Sequence, residues 1–255
     1  MDATTVAVDL AKTVFELALA NAQWRIVARQ RLNRGQFARL LAESVPTHVV
    51  MEACGMAHYW GRVAQQHGHR VTLVPPAYVR PYVRRNKTDR ADAEAILEAV
   101  RSGEMPSVPV KRIEQQALVA LHRVREQWIT TRAARINALR GILREHGLLL
   151  PATARAALQA VPTILEDAET VLPMHLRTVL ASVHEEIRAI EARVADLEGE
   201  LRRLAAADPV VTRLRTIPGI GLLTATALVG SVGHIHAFRR ARQFASWLGL
   251  TPREH

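Results

Sequence analysis

The chain has 255 residues, room for one large domain or two small ones, and its 49% apolar and 23% charged content argues against wholesale disorder. No apolar run approaches the roughly 20 residues of a membrane span, and no basic-then-apolar leader precedes the first strand-like segment, so a cytoplasmic, membrane-free protein is expected. Cys54 is the only cysteine, which excludes an intrachain disulfide and a cysteine-built zinc site, while 34 Lys and Arg against 24 Asp and Glu leave a net charge of +10.

Thr5–Leu10 (TVAVDL) has the pattern of a short apolar strand, and a tight Ala11–Thr13 connection leads to a second, Val14–Ala20. Trp24–Leu32 alternates apolar and polar residues like a half-buried third strand, completing an antiparallel meander. Helical periodicity follows over Gly35–Glu43, a continuous apolar strand over Thr47–Met51, a second helix over Ala57–Gln66, and a fifth strand over Arg70–Val74 closed by Pro75 and Pro76. This order, three strands then helix, strand, helix, strand, is that of an RNase H-like (RuvC-like) α/β fold, whose later strands run parallel under covering helices. An arginine-rich connector, Tyr78–Arg85, precedes a helix from Thr88 to about Arg101, and Gly103, Pro106 and Pro109 mark a linker.

Beyond Lys111 the chain is mostly helical. Ile113–His146 forms one or two long helices, stopped by Gly147 and Pro151. From Leu176 to Leu204 apolar residues recur four and three apart, a narrow coiled-coil seam through Leu180, Ile187, Val194 and Leu201. In a parallel dimer Arg193 and Glu198 could pair, whereas Glu186 and Glu191 would repel. An antiparallel hairpin against the 113–146 helix uses the same seam, and the charges leave the two arrangements open. The expected domains are 1–110, an α/β domain; 111–207, long helices and coiled coil; and 208–255, the start of a C-terminal helical domain.

Four carboxylates occupy telling positions. Asp9 ends the first strand and Glu52 the fourth; these strands are neighbours in an RNase H-like sheet, so the two acids emerge together. Asp89 and Asp92, three apart, share one face of a helix's first turn. Four anions in one cleft repel unless cations offset them, and all-oxygen ligands suit Mg²⁺, with Mn²⁺ as the alternative, in a two-metal arrangement for phosphodiester chemistry. Each acid also has a plain structural explanation: Asp89 and Asp92 suit a helix N-terminus capped by Thr88, and Asp9 suits a turn.

The net charge and a pI near 11.0 favour a polyanionic partner. Lys12, Lys87 and Lys111 are the only lysines, so arginine, whose fork grips phosphate oxygens in pairs, carries nearly all the positive charge; GC-rich codon usage is the competing cause. Arg80, Arg84, Arg85, Lys87 and Arg90 abut the acid pair and suit a nucleic-acid backbone. Tyr78 and Tyr82 interleave with them, either to stack on bases or as packed core aromatics. Ile217-Pro218-Gly219-Ile220-Gly221, ahead of an apolar helix over Leu222–Val229, has the pattern of a helix-hairpin-helix, in which Gly219 and Gly221 let a phosphate approach. Arg213 and Arg215 lie upstream of it, and Arg239, Arg240 and Arg242 downstream; a plain glycine turn between core helices is the alternative. His67, His69, His234 and His236 lack metal-ligand spacing and suit ordinary surface or core roles.

Val8-Asp9-Leu10-Ala11-Lys12, Met51-Glu52-Ala53-Cys54-Gly55, Lys87-Thr88-Asp89-Arg90-Ala91-Asp92-Ala93 and Ile217-Pro218-Gly219-Ile220-Gly221 resemble, in order and over essentially the whole chain, the DEDD transposases of the insertion-sequence 110/1111 family. The resemblance implies a RuvC-like domain, a coiled-coil insert and a C-terminal transposase domain. It also implies Mg²⁺-dependent DNA recombination guided by a structured bridge RNA, in homo-oligomers, dimers or tetramers, that combine acids of one protomer with a serine of another. It assigns Asp9, Glu52, Asp89 and Asp92 to the acidic tetrad. In the family a segment like Phe244–Pro252 is followed by a Ser-Ser-Gly stretch bearing the nucleophile; the sequence ends at His255 and neither Ser231 nor Ser246 matches, so a truncated transposase is expected. A junction-resolving nuclease without a protein nucleophile, and a catalytically silent nucleic-acid-binding remnant, are the alternative functions.

Overall fold

The computed structural model describes residues 3–83, 89–103 and 105–250; of Asp89 and Arg90 only the backbone is described. The chain divides into two compact units: one runs up to Ile113 and resumes at Val232, and the other spans Glu114–Ser231. The segment expected as one C-terminal domain, 208–255, is thus shared between them.

The first unit is built on a five-stranded mixed sheet of β1 (Thr5–Leu10), β2 (Val14–Ala20), β3 (Ile26–Asn33), β4 (His48–Glu52) and β5 (Arg70–Val74), in the order β3-β2-β1-β4-β5. β1, β2 and β3 pair antiparallel, and β1-β4 and β4-β5 pair parallel, which fits an RNase H-like domain. The third strand starts at Ile26 rather than Trp24. Asn21 Oδ1 accepts from the backbone N–H groups of Gln23 and Arg25, and Trp24 takes φ 61°, so a turn holds residues the alternation had given to the strand.

Strand alternation gives the sheet two apolar faces. Val6, Val8, Phe15, Leu17, Val49, Met51 and Leu73 meet α1 (Arg34–Glu43) and α2 (Ala57–Gln66). Phe15, Phe37 and Trp60 interlock edge to face there, with centroids 5.0–5.3 Å apart. The opposite face is small, Ala7, Ala18 and Ala20 beside Val50 and Val74, and it receives Ala93, Ile96 and Leu97 of α4 (Asp89–Arg101).

Two connectors are more structured than their composition suggests. Pro76 opens a one-turn helix, α3 (Pro76–Val79), and a 3-10 turn follows over Arg80–Tyr82. Tyr78 and Tyr82 are 44% and 40% exposed, so the core role considered for them fails. The proline-marked linker is clipped down: Val108 N–H donates to the Leu73 carbonyl, Lys111 N–H to His58 Nδ1, and Arg62 to the Lys111 carbonyl. Val110 packs so tightly on α2 that a Cβ at Gly61 would come within 2.9 Å of it.

The second unit comprises α5 (Ile113–Glu145, whose first residue belongs to the first unit), α6 (Ala154–Glu166), α7 (Met174–Ala206), α8 (Pro209–Leu214) and α9 (Leu222–Ser231). The 113–146 segment is one helix, ended by Gly147 at φ +75°. The seam on α7 is filled from within the chain. Leu180 and Ile187 pack with Ile136, Leu139 and Leu143 of α5 and with Leu158 and Val161 of α6, and Leu197 and Leu201 pack with Leu118. Arg125–Glu198, Arg132–Glu191 and Arg135–Glu186 bridge at 2.8, 3.6 and 2.8 Å, so α5 and α7 run antiparallel. Glu198 pairs with Arg125, so the Arg193–Glu198 pairing considered for a parallel dimer gives way to this hairpin. No described helix is long and apolar enough to cross a membrane.

His69 is buried and satisfied, as expected: Nδ1 accepts from Thr47 N–H at 3.1 Å and Nε2 donates to the Leu41 carbonyl at 2.8 Å. His48 accepts from Arg70 at Nδ1 (3.0 Å) and donates through Nε2 to Thr72 Oγ1 (2.8 Å). Burial, then the Arg70 charge, lowers its pKa to about 4; burial, then Lys111 and Arg62, lowers that of His58 to about 4.

Two outcomes are expected. Between pH 6.5 and about 4 the unfolded chain takes up protons that folded His48 and His58 refuse, so stability is full above pH 6.5 and falls with pH through that window. Thermal melting at pH 7 and pH 5 measures it, and His48→Asn should flatten the dependence; an identical pH response in that variant would refute the assignment. Replacing fully buried Ile187 by Ala should cost about 2–5 kcal/mol in urea unfolding, whereas Arg135→Gln, at a solvent-exposed pair, should leave the midpoint nearly unchanged.

Candidate functional site

Strand register brings charged residues into one row at one end of the sheet. Asp9 lies directly opposite Glu16 across β1-β2, and Glu16 opposite Arg31 across β2-β3. The β1-β4 register runs to Val8↔Met51, which leaves Glu52 level with Asp9 on the neighbouring parallel strand. Alternation puts Asp9, Glu16 and Glu52 on the face of Ala7, Ala18 and Val50, the face that α4 covers. Opposed residues on adjacent strands keep their Cβ atoms about 4.5–5.5 Å apart. Arg31, Glu16, Asp9 and Glu52 therefore form a continuous line of charge across four strands.

Local chemistry explains why the acids stand at strand ends. Cys54 N–H donates to the Glu52 carbonyl at 2.8 Å, turning the chain immediately after β4. The short β1-β2 connection does the same beyond Asp9. Both side chains are half-buried, between the apolar strand bodies and solvent.

α4 supplies the remaining acids. Asp92 precedes the buried Ala93 and stands one helical turn before Ile96, on the side that meets the sheet. Its Oδ1 is buried and has no hydrogen-bond partner among the described residues. An orphaned buried carboxylate oxygen costs about 1–3 kcal/mol or more. A carboxylate oxygen of this kind suits a hard divalent cation, so the chemistry of Asp92 fits the implied metal. Asp89 opens the same helix, but its side chain lies outside the described residues. Among those residues, no three His, Cys, Asp or Glu side chains gather at metal-ligand spacing. Arg29 anchors the helix over β3 through Glu94 at 2.8 Å.

Sequence patterning singled out neither Glu16 nor Arg31. Glu16 is the only charge in an otherwise apolar strand, and the three-residue connection before it fixes Leu10↔Phe15 and hence Asp9↔Glu16, so its position was recoverable from register. Arg31 carried no such signal.

Of the basic candidates, Arg80 is exposed on the 3-10 turn, whereas Arg84, Arg85 and Lys87, the Thr88 cap and the Arg90 side chain lie outside the described residues. In the second unit Arg213 and Arg215 are exposed at the end of α8, and the chain turns through Gly219 (φ +86°) and Gly221 into α9. In the first unit Arg239, Arg240 and Arg242 are exposed at the start of α10 (Ala241–Trp247). A groove between α6 and α7, lined by Leu165, Met174, Arg177 and His184, is not lined by Asp9, Glu52 or Asp92.

Comparison with known proteins identifies the family. A family model of the IS110 DEDD type, described as a transposase, matches residues 6–147, and one described as the transposase IS116/IS110/IS902 family matches residues 211–255. A probable family 20 transposase of Pseudomonas aeruginosa is 40% identical, covering 100% of this chain and 76% of that protein. The transposase for insertion sequence element IS1111A of Coxiella burnetii is 37% identical over 100% of this chain and 70% of its own length. The transposase for IS1328 of Yersinia enterocolitica is 35% identical, over 99% and 75% respectively. On these matches the chain belongs to the IS110 family of transposases.

Proposed function

We propose that this chain carries out metal-dependent DNA strand cleavage and exchange for a mobile insertion sequence, with Asp9, Glu52, Asp89 and Asp92 holding the metal. The observation that carries the proposal is the convergence of Asp9 and Glu52, on neighbouring parallel strands, beneath a helix whose Asp92 keeps a buried oxygen without a partner. Bound Mg²⁺, or Mn²⁺ in its place, would supply neutralisation of the clustered acids and polarisation of a phosphodiester.

The chain's own residues divide the remaining work. Asp9 and Glu52 stand on rigid strand ends, so their spacing is held by backbone pairing rather than by loop conformation. Asp92 rides on α4, which Arg29–Glu94 and the alanine face hold in place. Arg80, Arg84, Arg85, Lys87 and Arg90 would draw a nucleic-acid backbone toward the acids. The turn at Gly219 and Gly221, flanked by Arg213 and Arg215, suits sequence-neutral phosphate contact of the helix-hairpin-helix kind, and Arg239, Arg240 and Arg242 offer a further basic strip. A structured guide RNA as the partner that selects DNA sites agrees with the family resemblance and with the +10 charge. No serine of this chain is assigned as nucleophile.

Cleavage of element-end DNA in Mg²⁺ tests the proposal. Asp9→Asn, Glu52→Gln and Asp92→Asn should each lower the rate by roughly 100-fold or more, the equivalent of several kcal/mol of lost charge stabilisation, while melting temperatures stay near that of the parent. Calorimetric titration with Mg²⁺ should show weakened binding in the same variants. Undiminished cleavage by Asp9→Asn would defeat the assignment.

A further inference from the structure

We propose that Arg31 is a phosphate-gripping residue of the acid row, held in place by Glu16, and that it positions the nucleic-acid backbone beside the metal-binding carboxylates. The inference rests on the functional reading above and adds to it a residue outside the DEDD set.

The row has an electrostatic difficulty. Asp9, Glu16 and Glu52 place like charges on three adjacent strands, and α4 adds Asp92. A DNA strand is itself polyanionic, so it approaches such a cluster against repulsion even when part of the charge is offset by metal. Arg31 is the basic member of the row. It lies two strands from Asp9, so roughly 10 Å separates their backbones. A guanidinium at that distance can hold a phosphate near, without displacing, the group that reacts at the acids.

Its surroundings favour that role over a stability role. Arg31 Nε lies 3.2 Å from Glu16 Oε1, and the arginine side chain is 70% exposed while the glutamate is 20% exposed. An ion pair so open to water contributes little to folding. No second carboxylate engages the guanidinium among the described residues, and its terminal nitrogens have no hydrogen-bond partner there. That leaves a planar fork of donors directed by a half-buried anchor, the geometry that grips phosphate oxygens in pairs. Arg29, one step along the same strand and face, provides the contrast. It is tied to Glu94 of α4 by a hydrogen-bonded ion pair at 2.8 Å and serves to dock the helix. β3 is the edge strand of the sheet, so the Arg31 end of the row is open to a large ligand.

The test is DNA binding by the full chain, followed by fluorescence anisotropy on a mixed-sequence duplex in EDTA, where no cleavage intervenes, across a series of salt concentrations. Arg31→Gln should weaken binding several-fold at low salt and reduce the slope of log affinity against log salt by about 0.9, the value for one lost phosphate contact. Arg31→Lys, which keeps the charge, should retain the slope. Arg155→Gln, an exposed arginine of the second unit, controls for simple loss of net charge and should leave the slope unchanged. An unaltered slope in Arg31→Gln, or an equal drop in Arg155→Gln, overturns the inference. Neither result bears on whether Asp9→Asn abolishes Mg²⁺-dependent cleavage, so failure here and failure of the parent reading are separable.

Discussion

The contact of α4 with an alanine-surfaced sheet face is the constraint on which the site depends. Ala7, Ala18 and Ala20 present only methyl groups, so the helix axis can lie close to the strands and bury Ala93, Ile96 and Leu97 against them. Burial of Ile96 and Leu97 contributes about 1.5–3 kcal/mol each, whereas the exposed Arg29–Glu94 pair contributes at most about 1 kcal/mol. Apolar packing therefore sets the height of the helix over the sheet, and the Arg29–Glu94 pair ties it to β3. Because Asp92 precedes the packed stretch by one residue, lowering the helix also lowers that carboxylate to the level where its Oδ1 loses water.

Charge is handled differently at the two ends of the same strands. Around His48, burial and Arg70 favour the neutral imidazole, and every ring nitrogen has a partner. At the Asp9 and Glu52 end, the strands deliver anions beside one another and leave a buried oxygen unsatisfied. Such an arrangement opposes folding, and sites of this kind persist where the strain serves chemistry. The Glu16–Arg31 pair extends the row outward from that cluster to the edge strand.

The helical unit illustrates how weak interactions decide between strong alternatives. The α7 seam is the main apolar contact between its long helices, and a seam of leucine, isoleucine and valine does not by itself fix a parallel or an antiparallel partner. Arg125, Arg132 and Arg135 stand at heights that match Glu198, Glu191 and Glu186 only when α5 runs antiparallel to α7. Glu186 and Glu191, which would repel across a parallel dimer, are thereby paired. The buried face drifts as well: Leu204, the last residue of the strict repeat, is exposed, and Ala205 takes its place, as a straight helix of 3.6 residues per turn requires.

Much of this was legible in the residues alone. The five strands, the α1, α2 and α4 helices and the long α5 and α7 follow from periods of two and of three to four, because backbone conformation responds to near neighbours and to which side chains need burial. Asp9 and Glu52 stood out because each directly ends an apolar run. Other features belonged to the tertiary structure. The partner of the α7 seam, the docking of Val108 on β5, the exposure of Tyr78 and Tyr82, and the Arg31–Glu16–Asp9–Glu52 row all depend on which distant segments lie side by side and in which register. Sequence periodicity specifies the faces an element must bury; only the summed free energy of contacts between remote segments chooses what covers them. That choice aligned three acids and one arginine into one line of charge.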